Sequence, residues 1–377
     1  MNSLFQFHQN HGAELEEIEG ITIPIRYVNR FQEERQTLIH GAGILDCSSM
    51  MLIQVKGKDA LQFLQGMVTN DLNALKIGGF QPNLICSNRG KIEHRVEIIR
   101  SSDNTLILCC NPGEGLDIGR KLDQYHIREE LEMSVLNSKM IRVDLVGPLS
   151  GEKLENLGWP QSTHGWMLDD LEVITVEAPI FEFPRYINLV PVEGAVGFMD
   201  RLKDEADSDL VGHEAFSDLL TYLGYPQFDV DYGKGNFPQE ASLGDHISFN
   251  KGCYVGQEPH ARMYHRGHPN WILVRLTFPK DIDVKPGAEL YAEGESVGTL
   301  TSLSSIHDEE VKKGIGMIRH QLSLSGTVLN LKEDSTTLIR QEALTYQNRR
   351  LKPNFLKHNV YLINEFLPIP ESGIRNS

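Results

Sequence analysis

The stretch K-G-C-Y-V-G-Q-E, from Lys251 to Glu258, places a cysteine between two glycines. Gly252 and Gly256 carry no side chain, so the main chain around Cys253 can turn tightly and a partner can approach the sulfur. A cation near a thiol favours the thiolate, which is the nucleophilic and metal-binding form, and Lys251 is such a cation. These features favour a chemical role for Cys253. A small cysteine buried in a glycine-rich turn is the alternative.

Basic side chains follow the cysteine within fifteen residues, namely His260, Arg262, His265, Arg266 and His268. Their spacing matches no standard zinc pattern, so we do not expect a metal site. Histidines beside arginines more often bind anions or face solvent. In an acidic chain this cluster is unusual, and it adds Arg262 to the candidate residues around Cys253.

The composition of the 377-residue chain is that of a globular protein with about two or three domains. Its 52 acidic and 36 basic residues give a formal net charge of −16, which repels nucleic acid and anionic membranes. Five scattered cysteines without a C-x-x-C pair fit a reducing cytoplasm. We find no signal peptide and no apolar run of about 20 residues, and therefore expect a soluble, cytoplasmic protein without membrane or nucleic-acid partners.

The N-terminal part of the chain alternates irregularly between strand and helix patterns. Ile44 to Val55 is strand-like, and apolar residues at helical spacing follow from Ala60 to Val68. That helix runs into Thr69-Asn70-Asp71, so these polar residues lie at or beyond its C-terminal end. Val196 to Met199 is interpreted as a further strand. The irregular alternation predicts an α+β fold with mixed sheets rather than a doubly wound fold.

After residue 270 the sequence consists of short strands separated by turn residues, which predicts a small C-terminal β-barrel. We therefore expect an N-terminal region over residues 1–270, with two subdomains that divide near 145–200. The barrel is expected over 271–350, and residues 351–377 form a tail.

Lys251 to Glu258, with Arg262 after it, resembles the signature K-G-C-(Y/F)-x-G-Q-E-x-x-x-R of the YgfZ family. Proteins of this family bind folate, support the assembly or repair of iron–sulfur proteins, and are related to the T-protein (aminomethyltransferase) of the glycine cleavage system. Further similarities are Gly57 to Asp71, Pro238 to Glu240, and Gly294 to Ser302. Together they span roughly residues 40 to 345.

The resemblance implies an aminomethyltransferase-like fold, with a tetrahydrofolate pocket in the middle of a ring of three domains. Glu240 is then expected to accept hydrogen bonds from the pterin, because a carboxylate suits an edge of N–H and NH2 groups. Asn70 and Asp71 are expected near the same pocket. The signature itself implies Cys253, Lys251 and Arg262 as the reactive group, and Tyr254, Gln257 and Glu258 as contacts to the cofactor.

Two motifs depart from the T-protein pattern. His94 and Arg95 stand where the T-protein has paired aspartates, one of them catalytic, and Leu220 and Tyr222 stand where it has an R-x-E. The first departure removes the acid expected for aminomethyl transfer, so whether the chain is an enzyme stays open at this point.

Two functions follow from these observations. The first is an accessory factor that binds tetrahydrofolate and serves iron–sulfur client or assembly proteins through Cys253. A single cysteine cannot hold a cluster that normally takes four thiolates, so any cluster would be transient or shared with a partner. The alternative is a folate-dependent transferase of an aminomethyl or other one-carbon unit.

Overall fold

The described part of the chain contains three sheets of five or six strands and one two-stranded ribbon, with helices between the strands. The structure is a computed structural model that describes residues 4–28, 30–307, 311–323, 327–331 and 339–343. The predicted tail over 351–377 lies outside these residues. Within them, no helix has both the length and the apolar character needed to cross a membrane.

Eight helices and nineteen strands are found among the described residues. The helices are α1 (Phe5–Asn10), α2 (Phe31–His40), α3 (Ala60–Met67), α4 (Gly115–Tyr125), α5 (Ser150–Asn156), α6 (Ala195–Asp204), α7 (His213–Leu223) and α8 (Gln257–Arg266). The strands are β1 (Ala13–Ile18), β2 (Ile21–Tyr27), β3 (Gly43–Asp46), β4 (Met51–Lys56), β5 (Phe80–Cys86), β6 (Ile92–Ser102), β7 (Thr105–Cys110), β8 (Glu132–Val135), β9 (Met140–Val146), β10 (Gly165–Leu168), β11 (Leu171–Glu177), β12 (Arg185–Pro191), β13 (Asp209–Val211), β14 (Trp271–Pro279), β15 (Glu289–Ala292), β16 (Glu295–His307), β17 (Val311–Arg319), β18 (Val328–Leu329) and β19 (Ile339–Ala343).

The first sheet is antiparallel and has the strand order β5-β6-β7-β4-β8. Helices α3 and α4 cover one of its faces, where Leu64, Ile118 and Leu122 pack against buried strand residues such as Val96. In α4, Ile118 and Leu122 are four positions apart, which is the spacing of one helix face.

The second sheet has the order β10-β11-β12-β9-β3-β13, and β13 is parallel to β3 while the other pairs are antiparallel. Strand β3 ends at Asp46, and β4 begins at Met51 in the first sheet. The predicted continuous strand from Ile44 to Val55 is therefore wrong. It is two strands, β3 and β4, in different sheets. The predicted strand from Val196 to Met199 is also wrong, because it lies in α6, where Ala195, Phe198 and Leu202 are buried at helical spacing. A window of four residues is too short to separate the two periodicities.

The third sheet contains the C-terminal strands in the order β15-β16-β17-β14-β19-β18. Tyr291 in β15 exchanges two main-chain hydrogen bonds of 2.8 Å with Asn330, directly after β18, so the two edges of this sheet meet at one residue pair. The predicted fold class, mixed helix and sheet of the aminomethyltransferase type, is confirmed. The division into domains at residue 270 and near 145–200 stays a prediction.

The three sheets contact one another in pairs. The first and second sheets meet at a buried charge cluster, where Arg142 in β9 bonds Glu97 in β6 and Asp144 through three contacts of 2.6 Å. Helix α7 packs between the second and third sheets through Leu219 and Tyr222. Residues 228–243 pack between the first and third sheets. A junction of all three sheets therefore lies beside β6, α7 and the segment that follows α7.

Candidate functional site

Cys253 lies in the loop before α8 and is exposed, whereas Cys47, Cys86, Cys109 and Cys110 are buried. Burial raises the pKa of the Cys86 and Cys109 thiols to about 12, and holds the pKa of the other two buried thiols well above the ordinary value. All five cysteines of the chain are described, so Cys253 is the one thiol of this protein that a partner can reach. The predicted exposure of its sulfur is confirmed.

The glycines beside Cys253 have different surroundings. At Gly256, φ is +86° and an added Cβ would lie 2.5 Å from the main-chain oxygen of Ser87, so this position requires glycine for a close approach of two loops. No atom lies within 4 Å of an added Cβ at Gly252. The prediction that both glycines serve to expose the sulfur is therefore corrected for Gly256, which fixes the loop against residues 87–90.

His260 on α8 stabilises the same contact between the Cys253 loop and residues 87–90, and it is fully buried. Its Nε2 donates to the main-chain oxygen of Gly90 at 2.6 Å, which leaves Nδ1 to accept from the Tyr254 hydroxyl at 3.0 Å. Burial lowers the pKa of His260 and so favours this neutral form. Tyr254, predicted to contact the cofactor, is thus buried within the loop.

Lys251 has partners other than the cysteine beside it. Its ammonium donates to the main-chain oxygens of Gln65, Val68 and Asn70 at 2.7, 2.7 and 2.6 Å, at the C-terminal end of α3. A cation suits this place because the last carbonyls of a helix have no partners within it. Lys251 therefore has a structural role different from the activation of Cys253 that its position in the sequence suggested.

Asn70 joins three segments with one side chain. Its Nδ2 donates to the main-chain oxygens of Pro82 and Asp245 at 3.0 and 2.7 Å, and its main-chain N–H donates to the Asn83 side chain at 3.0 Å. Thr69 adds a hydrogen bond of 2.6 Å from its hydroxyl to the main-chain oxygen of His246. The Thr69-Asn70 pair therefore holds the segment that contains residues 245 and 246.

Asp71 serves the local turn. Its Oδ1 accepts from the Gln65 side chain at 2.8 Å and from the main-chain N–H of Asn73 at 3.1 Å, as an N-cap does. The predicted contacts of Asn70 and Asp71 with a cofactor stay predictions. Asn70 Nδ2 and Asp71 Oδ1 already form hydrogen bonds within the protein.

Glu240 lies in the loop after Pro238 and is mostly buried. Its Oε2 accepts from the Phe237 main-chain N–H at 2.8 Å and from the Asn236 side chain at 3.3 Å, and the Lys91 ammonium lies 3.7 Å away. Among the described residues, no group donates to Oε1. Glu240 is therefore a positioned carboxylate with one oxygen available to a ligand.

The remaining signature residues lie on α8. Glu258 and Arg262 are exposed and Gln257 is half-buried, and within the described ranges their side chains form no hydrogen bond or ion pair. The part of the chain described by the structure contains no group of three or more His, Cys, Asp or Glu residues that could hold a metal ion.

His94 points to a carboxylate partner rather than to open space. It is buried in β6, and its Nδ1 lies 2.9 Å from Oε1 of Glu114. Lys234 lies 3.4 Å from the same oxygen. Leu220 and Tyr222, at the other departure from the T-protein pattern, lie on α7, where Tyr222 is buried in the core beside the third sheet.

A polar cluster that the sequence analysis missed lies at the junction of the three sheets. It comprises Arg95 on β6, Tyr225 after α7, Tyr232 and His246, and the Arg95 Nη2 donates to the Tyr225 hydroxyl at 3.1 Å. Three buried polar atoms of the cluster have no hydrogen-bond partner among the described residues, namely Arg95 Nε, the Tyr232 hydroxyl and His246 Nε2. Such atoms are rare in proteins, because each one left unsatisfied is costly.

No short motif marks this cluster, since its members are 7 to 151 positions apart in the chain. The available signal was a run of polar and aromatic residues, Tyr225 to Tyr232, directly after the helix α7. Glu97, two positions from Arg95, is its charged neighbour. Burial acts to raise the pKa of Glu97, but Arg185, Arg142 and Arg95 together hold it well below the ordinary value.

Comparisons with known proteins agree with this fold. Residues 4–172 match the GCVT N-terminal domain. An aminomethyltransferase of Caldanaerobacter subterraneus is 24% identical over 330 residues, which cover 83% of this chain and 86% of that protein. An aminomethyltransferase of Bacillus licheniformis is 23% identical over 379 residues, 95% of this chain and 97% of that protein.

Among solved structures, the glycine cleavage system aminomethyltransferase T from Bartonella henselae is similar, with a TM-score of 0.80 and 21% identity. The match covers 91% of this chain and 97% of that one. The chain is therefore GcvT-like in sequence and in fold.

Proposed function

We propose that this GcvT-like chain binds tetrahydrofolate and acts on a one-carbon unit that the folate carries. Relatives over more than four fifths of the chain are named aminomethyltransferases. The resemblance of the sequence to the T-protein and YgfZ families implies a tetrahydrofolate pocket. The matches cover 86%, 88% and 97% of three such relatives, so the proposal does not rest on a small part of them.

The observation that carries the proposal is the cluster of three buried, unpartnered polar atoms at the junction of the sheets. Arg95 Nε can only donate, the Tyr232 hydroxyl can donate or accept, and a neutral imidazole nitrogen can accept. A pterin is a flat ring with donors and acceptors along its edges, and it suits such a set. The aromatic ring of Tyr225, which contacts Phe181 at a centroid distance of 5.2 Å, adds an apolar surface for it.

Glu240 supports the same proposal from the segment after α7. No described group donates to its Oε1, and the N–H and NH2 groups of a pterin edge are donors that this oxygen can accept from. The contacts of Oε2 with Phe237 and Asn236 fix the carboxylate in place, so binding does not have to order it first.

The test is calorimetric titration of the protein with tetrahydrofolate, beside Glu240→Ala and Tyr232→Phe. Each variant removes one proposed contact, and Tyr125→Phe, on the exposed end of α4, is the matched control. We expect micromolar-range binding that weakens at least about tenfold in each site variant and is unchanged in the control. Binding that is equal in all four proteins would refute the site, and the absence of binding to the unaltered protein would refute the function.

We propose the maintenance of iron–sulfur proteins as a second candidate function, favoured by one observation. Cys253 is exposed, lies in the signature stretch, and is separated from the four buried thiols. A thiolate is a ligand that iron accepts, and a partner protein would supply the remaining ligands of a cluster. Under this second candidate, folate binding and Cys253 serve client or assembly proteins.

The two candidates predict different results for Cys253→Ser. If the chain is a transferase only, this variant keeps the transfer of an aminomethyl unit to tetrahydrofolate. If it serves iron–sulfur proteins, the variant fails to restore the activity of [4Fe–4S] enzymes in a strain that lacks the gene, whereas the unaltered protein restores it. Restoration by both proteins would eliminate the role of Cys253, and failure of the unaltered protein to restore it would eliminate the second candidate.

A further inference from the structure

We infer that His246, oriented by Asp245, is the proton-accepting group of the folate site. The inference rests on the proposed function and adds a role for a residue pair that no sequence motif marks. Asp245 and His246 lie in a short helical turn, Gly244–His246, between the Glu240 loop and the Cys253 loop.

The orientation of the ring follows from its one charged partner. His246 Nδ1 lies 2.8 Å from Oδ1 of Asp245. A carboxylate accepts, so Nδ1 carries a proton, and in the neutral ring Nε2 then presents a lone pair. The His246 side chain is fully buried, and no group of the described residues is within hydrogen-bond reach of Nε2. A buried acceptor of this kind needs a partner other than the described residues, and a ligand or an ordered water is such a partner.

The main chain of the pair is fixed from the other side. Thr69 donates to the main-chain oxygen of His246, and Asn70 donates to that of Asp245, at 2.6 and 2.7 Å. Lys251 in turn holds the carbonyl of Asn70 at 2.6 Å. These hydrogen bonds fix the main chain of Asp245 and His246, and the Asp245 carboxylate fixes the ring. Such an arrangement is expected of a group that must contact a ligand with little reorganisation.

The ring faces the polar cluster at the junction of the sheets. Its centroid lies 6.4 Å from that of Tyr225, whose hydroxyl accepts from Arg95. Asp245 contacts the ring, and both Tyr225 and Tyr232 interact electrostatically with Arg95 and Asp245. Of the three unpartnered atoms there, Nε2 of the neutral imidazole accepts, Arg95 Nε donates and the Tyr232 hydroxyl can do either, so together they match a ligand with both donors and acceptors.

This placement also explains how the chain can do without an acid at position 94. His94 is engaged with Glu114, and its Nδ1 is not available to a ligand. In the proposed step, the folate nitrogen forms a bond to the carbon of the aminomethyl unit, the bond between that carbon and its donor breaks with the electron pair leaving on the donor, and the N–H proton passes to Nε2. The resulting imidazolium is paired with the Asp245 carboxylate, so the charge that arises is balanced within the site.

The test uses three substitutions in the full-length protein. His246→Gln keeps a hydrogen-bond acceptor that cannot take a proton, His246→Phe removes both properties, and Asp245→Asn removes the charge that orients the ring. His126→Gln, at a histidine that contacts only its own loop through Nε2 and a neighbouring ring, is the control. Folate affinity, the rate of aminomethyl transfer and the melting temperature are measured for each protein.

We expect His246→Phe to lower the affinity for tetrahydrofolate about tenfold or more. His246→Gln should retain affinity within about threefold of the unaltered protein and lose transfer, a split that a purely structural residue would not produce. If His246→Phe binds folate normally, Nε2 contacts only water and the inference is wrong while the proposed function stands. If His246→Gln transfers at the original rate, the proton-accepting role is wrong. If the unaltered protein binds no folate, both proposals fail.

Discussion

The ammonium of Lys251 lies 2.6 Å from the main-chain oxygen of Asn70. The Cys253 segment is therefore hydrogen-bonded to the loop that contains Thr69 and Asn70. The same loop holds Asp245 and His246 through two hydrogen bonds. The lysine of the signature stretch therefore acts on the junction of the three sheets through the main chain, over a separation of 181 residues.

Replacement of Lys251 by methionine should loosen this loop. The substitution keeps the length of the aliphatic chain but leaves three carbonyl oxygens without their donor, and we expect the free energy of unfolding to fall by about 1–3 kcal/mol. Amide hydrogen exchange of residues 69–72 should become faster. Lys58→Met, which removes an exposed ion pair with Glu130, is the control and should change neither quantity measurably.

The titration of Lys251 gives a prediction about pH. Burial, opposed by Asp71, lowers the pKa of Lys251 to about 8, whereas a lysine in the unfolded chain titrates near about 10.4. Between these values the unfolded chain binds more protons, so the free energy of unfolding should rise with pH. Below pH 8 the full cost of the buried charge is present, and above about 10.4 it is absent.

Urea unfolding at several pH values checks this prediction. Relative to Lys251→Met, in which the group is missing, the unaltered protein should gain about 3 kcal/mol between pH 8 and the unfolded pKa. If the free energy of unfolding of the unaltered protein instead falls relative to that of Lys251→Met over this pH range, the three carbonyls stabilise the charged ammonium by more than burial destabilises it.

Gly256 and Gly252 form a matched pair for the loop around Cys253. Gly256→Ala forces a side chain onto a residue with φ of +86° and brings its Cβ to 2.5 Å from the Ser87 oxygen. We expect a loss of roughly 1–3 kcal/mol in stability, measured by thermal unfolding. Gly252→Ala meets open space, and it should leave the melting temperature unchanged. Equal effects of the two substitutions would contradict the contact between the loops.

Much of the fold could be predicted from the sequence, because local patterns report local structure. The helix predicted from Ala60 to Val68 is α3, which ends one residue earlier at Met67, and it follows from apolar residues at helical spacing. The membership of β3 and β4 in different sheets could not be predicted, since it depends on partners far along the chain. Val196 to Met199 shows the same limit at short range.

The candidate site divides in the same way. The exposure of Cys253 followed from its neighbours in the sequence. The partners of Lys251 did not, because a long side chain reaches past its neighbours to the end of α3. Arg95, Tyr232 and His246 come from three distant segments, and only the folded chain brings their unpartnered atoms together.

The buried charge cluster between the first and second sheets should be sensitive to the loss of one carboxylate. Glu97→Gln leaves Arg142 and Arg185 with less negative charge, and we expect a loss of about 3–5 kcal/mol in stability, measured by urea unfolding at pH 7. Glu130→Gln, at an exposed carboxylate, is the control. Because the pKa of Glu97 is held well below the ordinary value, its contribution should persist above the unfolded pKa and be lost as the pH falls through the folded one. Equal stability of the Glu97→Gln variant and the unaltered protein at neutral pH would contradict this.

The cysteines offer a prediction that needs no ligand. In the native protein one thiol, that of Cys253, should react with a thiol reagent within minutes, and all five should react after denaturation. Burial raises the pKa of Cys86 and Cys109 to about 12, so their reactive thiolate is scarce as well as inaccessible. Mass spectrometry of the labelled peptides identifies the site, and Cys253→Ser should abolish native labelling without lowering the melting temperature. Fast native labelling at a second cysteine would mean that the sheets open more readily than their burial implies, and the separation of Cys253 from the other thiols would then not hold.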